Sequence, residues 1–166
     1  MDIQIDVYKN SLRLSDQQTI NVIKKVRYIL SKMDLSGDVI TFNLGNMLKD
    51  QSNNGAVLLE LKKLTNMAIH LIQIDKLIGI NFYMDTLFDE EHFKNIIRLA
   101  KLSSITNKIH IKAKNIEDSV FADEFPELKV EKCEKLDIIF KKRFILDRKQ
   151  EFICQEDIQG ENSVIR

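Results

Sequence analysis

The run Asp38-Val39-Ile40-Thr41-Phe42-Asn43-Leu44-Gly45 decides how this chain reads, together with Lys49-Asp50-Gln51-Ser52-Asn53-Asn54-Gly55 and Ala56-Val57-Leu58-Leu59 behind it. Val39, Ile40, Phe42 and Leu44 make a short apolar run of strand length, rich in residues that fit a pleated sheet. A polar stretch ending in glycine follows, which is loop chemistry. Val57, Leu58, Leu61 and Leu64 then recur at spacings of about three and four, the period of one helix face. A strand leading through a loop into a helix is the first half of a crossover unit. Repeated, such units build a parallel sheet with helices packed on it.

Upstream, Ile3, Ile5 and Val7 alternate with Gln4, Asp6 and Tyr8, the period of a half-buried strand. Leu12 and Leu14 alternate again, which predicts a β-hairpin turning near residues 9–11. Ser15-Asp16-Gln17-Gln18 has the spacing of a capping box. Ile20, Ile23, Val26, Leu30 and Met33 then line a helix face, and Gly37 ends it. Downstream, residues 69–74 read as a second buried strand. Residues 77–87 fit no single period, with Phe82 and Tyr83 placed to cover an edge. Asp89, Glu90 and Glu91 suit the positive start of a helix whose inner face is Phe93, Ile96, Ile97 and Ala100. Residues 108–116 read as a further strand. Residues 118–127, which hold the only proline, Pro126, read as a loop. Residues 128–133, 138–146 and 151–154 are β-like, with a turn at 147–150 and a polar, frayed tail at 155–166.

The expected order is therefore β-β-α-β-α-β-α-β. The fold class is α/β: a mixed, mostly parallel sheet with helices on it over residues 1–116, and a β-rich C-terminal extension over 117–166. Composition agrees with a globular chain of this kind. Of 166 residues, 44% are hydrophobic and 30% charged, with 25 basic against 25 acidic side chains. The balance gives no basic excess to displace counterions from phosphates, so nucleic acid is not an expected partner. The stretch 68–80 is too short to span a bilayer and carries His70, Gln73, Asp75 and Lys76, so no membrane partner is expected. The acidic, alternating start of the chain is unlike a signal or transit peptide. Cys133 and Cys154 form no CxxC pair and no zinc spacing, which points to a reduced, cytoplasmic protein without a metal or cofactor.

The order to residue 115, with the strand at 38–45 and the loop and helix behind it, resembles the STAS domain of anti-sigma-factor antagonists and sulfate-transporter tails. In that family a buried strand enters a loop with an Asp-Ser pair, then a glycine, then a leucine-rich helix. The loop serine or threonine is a phosphorylation switch in many members. The resemblance places that role on Ser52, with Gly55 near the family glycine. The chain departs from the pattern. Gln51 separates Asp50 from Ser52, two asparagines separate Ser52 from Gly55, and Asn43 stands where an acid often ends the strand. Residues 117–166 have no counterpart in the minimal domain. Apart from the family, a serine before a helix has its hydroxyl near unpaired amides and the positive end of the dipole. The commoner use of Ser52, Asn53 and Asn54 is plain capping; the other use is a switch.

Catalytic motifs are sparse. His110-Ile111-Lys112 with Glu117 is similar to the H-x-K-x(4)-D motif of phospholipase-D-like phosphodiesterases, in which the histidine attacks phosphorus and the lysine holds phosphoryl oxygens. On a strand His110, Lys112 and Lys114 would share a face. A second partial match, Lys142 with Asp147, has Phe140 where the nucleophile would stand. The alternative to catalysis is a solvated strand face. His70 reads as a hydrogen-bonded core residue of an apolar strand. Asp85, Asp89, Glu90, Glu91 and His92 are metal-ligating types, but the acids among them sit where a helix start favours them, so capping is preferred to a metal set. Lys141, Lys142, Arg143, Arg148 and Lys149 read as the guarded edge of a sheet.

The sequence thus predicts a non-enzymatic interaction or regulatory domain with a protein partner. Its contact surface is expected at Asp50, Ser52, Asn53 and Asn54, and its phosphorylation point at Ser52. Self-association is expected through the C-terminal hairpin, where Ile138, Phe140, Phe144 and Ile145 make two strands more apolar than a lone hairpin needs. The runner-up is a phospholipase-D-like phosphodiesterase, or its inactive relative, using His110, Lys112, Glu117, Lys142 and Asp147.

Overall fold

A computed structural model describes residues 2–7, 14–45, 55–87, 91–116, 126, 128–134, 140–158 and 161–165. The chain begins with strand β1 (Asp2–Asp6), helix α1 (Asp16–Lys32), strand β2 (Asp38–Gly45) and helix α2 (Gly55–Gln73). Strand β3 (Leu77–Leu87), helix α3 (Glu91–Leu102), a 3-10 turn (Thr106–Lys108) and strand β4 (Ile109–Ile116) follow. The last four strands are β5 (Lys129–Lys132), β6 (Phe140–Leu146), β7 (Phe152–Ile158) and β8 (Glu161–Ile165). All eight lie in one sheet, ordered β5-β4-β3-β2-β1-β6-β7-β8. The six strands from β5 to β6 are parallel, and β7 and β8 close it antiparallel.

From β1 to β4 the chain moves one strand at a time in one direction. Right-handed crossovers then put α1, α2 and α3 on the same face. The core forms there. Ile3 and Ile5 of β1, Ile40 and Phe42 of β2, Ile80 of β3 and Ile109 and Ile111 of β4 are buried beneath Val22, Ile23 and Val26 of α1, Val57, Leu61 and Ile72 of α2, and Ile96 and Ile97 of α3. Each such side chain contributes about 1.5–3 kcal/mol relative to exposure. Phe42 and Phe82 stack at 5.6 Å across β2 and β3. The capping box forms as its spacing implies: Ser15 Oγ accepts from the Gln18 amide at 3.2 Å, and the Ser15 amide donates to Gln18 Oε1 at 2.8 Å. Buried Glu60 on α2 takes Arg27 of α1 at 2.6 Å, an ion pair that fixes the two helices.

Several expectations are corrected. Residues 69–74 are not a strand, because Ala68, Ile69 and Ile72 continue the helical phase of Val57, Leu61 and Thr65 to the end of α2. His70 is therefore exposed on a helix and is not a core residue. The ambiguous stretch 77–87 is a central strand with a neighbour on each side, not an edge. Helix α1 stops at Lys32, and Gly37, with φ +71°, turns the chain into β2 instead of ending the helix. The tail is paired, since residues 155–158 complete β7 and β8 lies on it. Both edges of β1 are taken, by β2 and β6. Of the expected hairpin partner, residues 8–13 lie outside the described residues, and Leu14 precedes α1 without being a strand. The strands after residue 116 extend the same sheet at both ends, β5 beyond β4 and β6 beyond β1. Phe144 and Phe152 of that extension pack against the chain's own core.

Candidate functional site

Alternation in the strands gives the sheet a second face unlike the first. Registers align two rows of side chains opposite the helices. One runs Lys129, His110, Asn81, Thr41, Gln4, Arg143; the other runs Glu131, Lys112, Tyr83, Asn43, Asp6, Ile145. Most of these are polar, and Gln4, Asp6, Thr41 and Tyr83 are buried. Buried polar groups must be paired, and these are. Gln4 Nε2 donates to Asp6 Oδ1 at 2.8 Å, and Arg143 grips Asp6 Oδ2 through Nε at 2.7 Å and Nη2 at 2.6 Å. Asn81 Nδ2 donates to Thr41 Oγ1 at 3.2 Å. Tyr83 Oη donates to the Glu134 carbonyl at 3.5 Å, and burial pushes the phenol's pKa up.

At the β4–β5 side, His110 Nε2 stands 3.1 Å from Glu131 without hydrogen-bond alignment, and Lys112 lies 3.8 Å from the same carboxylate. Burial lowers the His110 pKa, outweighing the nearby Glu131 charge, with Lys112 and Lys129 acting in the same direction as burial. The buried site thus favours the neutral imidazole.

The structure brings His110 and Lys112 together on this face, as strand geometry requires. It does not bring the second partial motif to them. Lys142 lies on β6 in register with Ile3, on the helix-bearing face, where it meets Glu156 at 3.5 Å. Four strand spacings, roughly 19 Å, separate β6 from β4. Asp147 holds the β6–β7 turn, accepting the amides of Lys149 at 2.8 Å and Glu151 at 3.0 Å. Glu117 lies outside the described residues. Among the described residues no three His, Cys, Asp or Glu side chains gather in a way that would hold a metal ion. No disulfide joins Cys133 and Cys154, and burial raises the Cys154 thiol pKa.

The parallel strands share a carboxyl end, where two of the connections to helices are long and the third, from β3 to α3, is only residues 88–90. Residues 7–15 and 46–54 follow β1 and β2, whereas residues 33–37 and 74–76 suffice at the other end. Ligand sites of open parallel sheets form at that carboxyl end. Asp50, Ser52, Asn53 and Asn54 belong to residues 46–54, outside the described residues. Their two anchors are described. Gly45 closes β2 with φ +54°, a conformation that favours glycine, and Gly55 opens α2. Beside Gly55, α2 and α3 part to leave a groove of about 450 Å³. Leu58, Leu59 and Leu61 line one wall and Ile96, Leu99 and Leu102 the other, with Lys62 and Arg98 among them. Leu59 is 53% exposed and Leu102 83%. The groove was marked in the sequence only by Leu59, an apolar residue out of phase with the core face of α2. The Asp6–Arg143 pair had no signal, because register alone makes it.

Among the described residues no helix is long and apolar enough to cross a membrane. Comparison of the chain with protein-family models, with curated proteins and with solved structures finds no match.

Proposed function

We propose that this protein is a non-enzymatic regulatory domain of STAS-like type that binds a protein partner through residues 49–55 and the first turns of α2, with Ser52 as a phosphorylation switch. The observation that carries the reading is the open apolar groove at the start of α2, directly after this loop. Rigid elements hold the loop at both ends, and loops held so are where binding residues concentrate. A phosphate on Ser52 would add about −1.5 to −2 charges beside Asp50, changing the surface offered to a partner more than the fold. On the opposite face Gln4, Asp6 and Arg143 engage one another, as do Asn81 and Thr41, an arrangement suited to holding strands in register. A cytoplasmic setting belongs to the same reading.

The test begins with a photo-crosslinking residue at Asn54, and a second at Tyr28 on α1 as control. A protein crosslinked only from Asn54 is then purified and titrated by calorimetry. Ser52→Asp is expected to change its affinity, while Ser52→Asp and Ser52→Ala keep the melting temperature within a few degrees. Unchanged affinity in both variants makes the loop a connector and removes the switch. Separately, cleavage of a phosphodiester in EDTA that is lost in His110→Ala would overturn the non-enzymatic reading.

A further inference from the structure

The groove between α2 and α3 has a chemistry of its own. Its walls are leucine and isoleucine, and the two charged side chains among the described lining residues, Lys62 and Arg98, are both basic. Lys63 and Lys101 are exposed on the same two helices, but Lys63 is held by Glu60 and Lys101 makes a contact within the chain. Glu60, the acid of α2, is buried, pairs with Arg27 at 2.6 Å and Lys63 at 3.5 Å, and does not line the groove, so Lys62 stands as the exposed charge of that wall. Two helices that part over a leucine floor present ridges and grooves of a spacing that another helix fills. A helix with apolar anchors three and four residues apart and a charged outer face is the usual occupant of such a groove.

We infer that this groove docks an amphipathic helix of a protein partner, with leucine-like anchors on one face and acids along its flanks. The inference rests on the interaction reading above and names the partner's class. Leu59 and Leu102 supply exposed apolar area at the mouth. Lys62 selects the sign of the partner's charge, since a basic helix would meet repulsion there. Arg98 already makes a contact within the chain, so Lys62 carries the charge test.

The probes are two labelled synthetic helices of about 18 residues with the same leucine pattern, one carrying glutamate and the other lysine on the outer face. Fluorescence anisotropy on the full chain is expected to show saturable binding of the acidic peptide only, weakening as salt rises. Leu59→Asp, at an exposed position, should weaken it about tenfold or more with the melting temperature held. Lys62→Glu should weaken the acidic peptide and admit the basic one. Equal binding of both peptides, no binding of the acidic one, or indifference to Leu59→Asp and Lys62→Glu each overturns the proposal. Sedimentation gives another overturning result: a dimer of the free chain that Leu59→Asp dissociates would make the occupant a second copy. Where the acidic peptide binds as described but Ser52→Asp changes nothing, docking stands and the switch alone fails.

Discussion

The two faces of the sheet share the same strands and differ in what fills them. Toward the helices, Ile3, Ile5, Ile40, Phe42, Ile80 and Ile111 are buried against apolar partners. On the other face their sequence neighbours Gln4, Thr41, Asn81 and His110 lie in one row, and Asp6 is gripped by Arg143. A purely parallel sheet is ordinarily covered on both faces and reads as continuous apolar runs. Here β1 and β4 alternate strictly. The comparison teaches a division of labour: non-directional burial supplies stability on one face, and directional pairs set register on the other.

The largest test of that division lies in the core. Ile5→Ala removes a fully buried side chain and is expected to cost about 2–5 kcal/mol in urea unfolding, with an unchanged slope. On the polar face, Arg143→Met leaves the buried Asp6 carboxylate without its counter-charge and with Gln4 still donating to it, at a cost of about 2–3 kcal/mol because Arg143 is itself partly exposed. Adding Asp6→Asn should recover part of that loss, since no buried charge remains. Thr41→Val keeps the shape but removes the acceptor for Asn81, a loss of about 1 kcal/mol by the same assay.

His110 gives a smaller, pH-dependent effect. Its pKa is lowered in the folded chain from 6.5, so the unfolded state binds the proton more readily. Its contribution is intact above that value and is lost as pH falls through the folded pKa. Thermal unfolding of His110→Gln should show a shallower acid decline than the parent, and parallel curves would contradict the assignment. The least effect on stability is expected from Leu59→Asp, within about 0.5 kcal/mol, although it should weaken docking about tenfold or more. If Leu59→Asp destabilises as Ile5→Ala does, the groove is core and not surface.

What the sequence made legible follows the same division. Elements governed by local chemistry were readable: the capping box at Ser15 and Gln18, the alternation of β1 and β4, the apolar run of β2 and the face of α3. The apolar run 69–74 misled because Ile69, Leu71 and Ile72 satisfy a strand as well as a helix. Only their continuity with Val57, Leu61 and Thr65 decides it. Strand β3 was unreadable because bulges beside Asp38 and Asn43 break its simple pairing with β2. The tail failed for a different reason. Nothing local in residues 161–165 marks a strand, and β7 supplies the pairing. For the candidate site, the start of α2 was visible as a leucine-rich helix behind a polar loop. The opposing wall from α3 and the basic rim required the packing of two helices distant in sequence.

The most direct test of the central claim is an amide NMR titration of the full chain with the acidic amphipathic peptide. The account predicts shift changes at Gly55, Leu58, Leu59 and Lys62 of α2 and at Ile96, Leu99 and Leu102 of α3. Gln4, Thr41, Asn81 and His110 on the opposite face should stay still. Changes centred on those four residues, with the α2–α3 groove silent, would contradict it and move the binding surface to the polar face of the sheet.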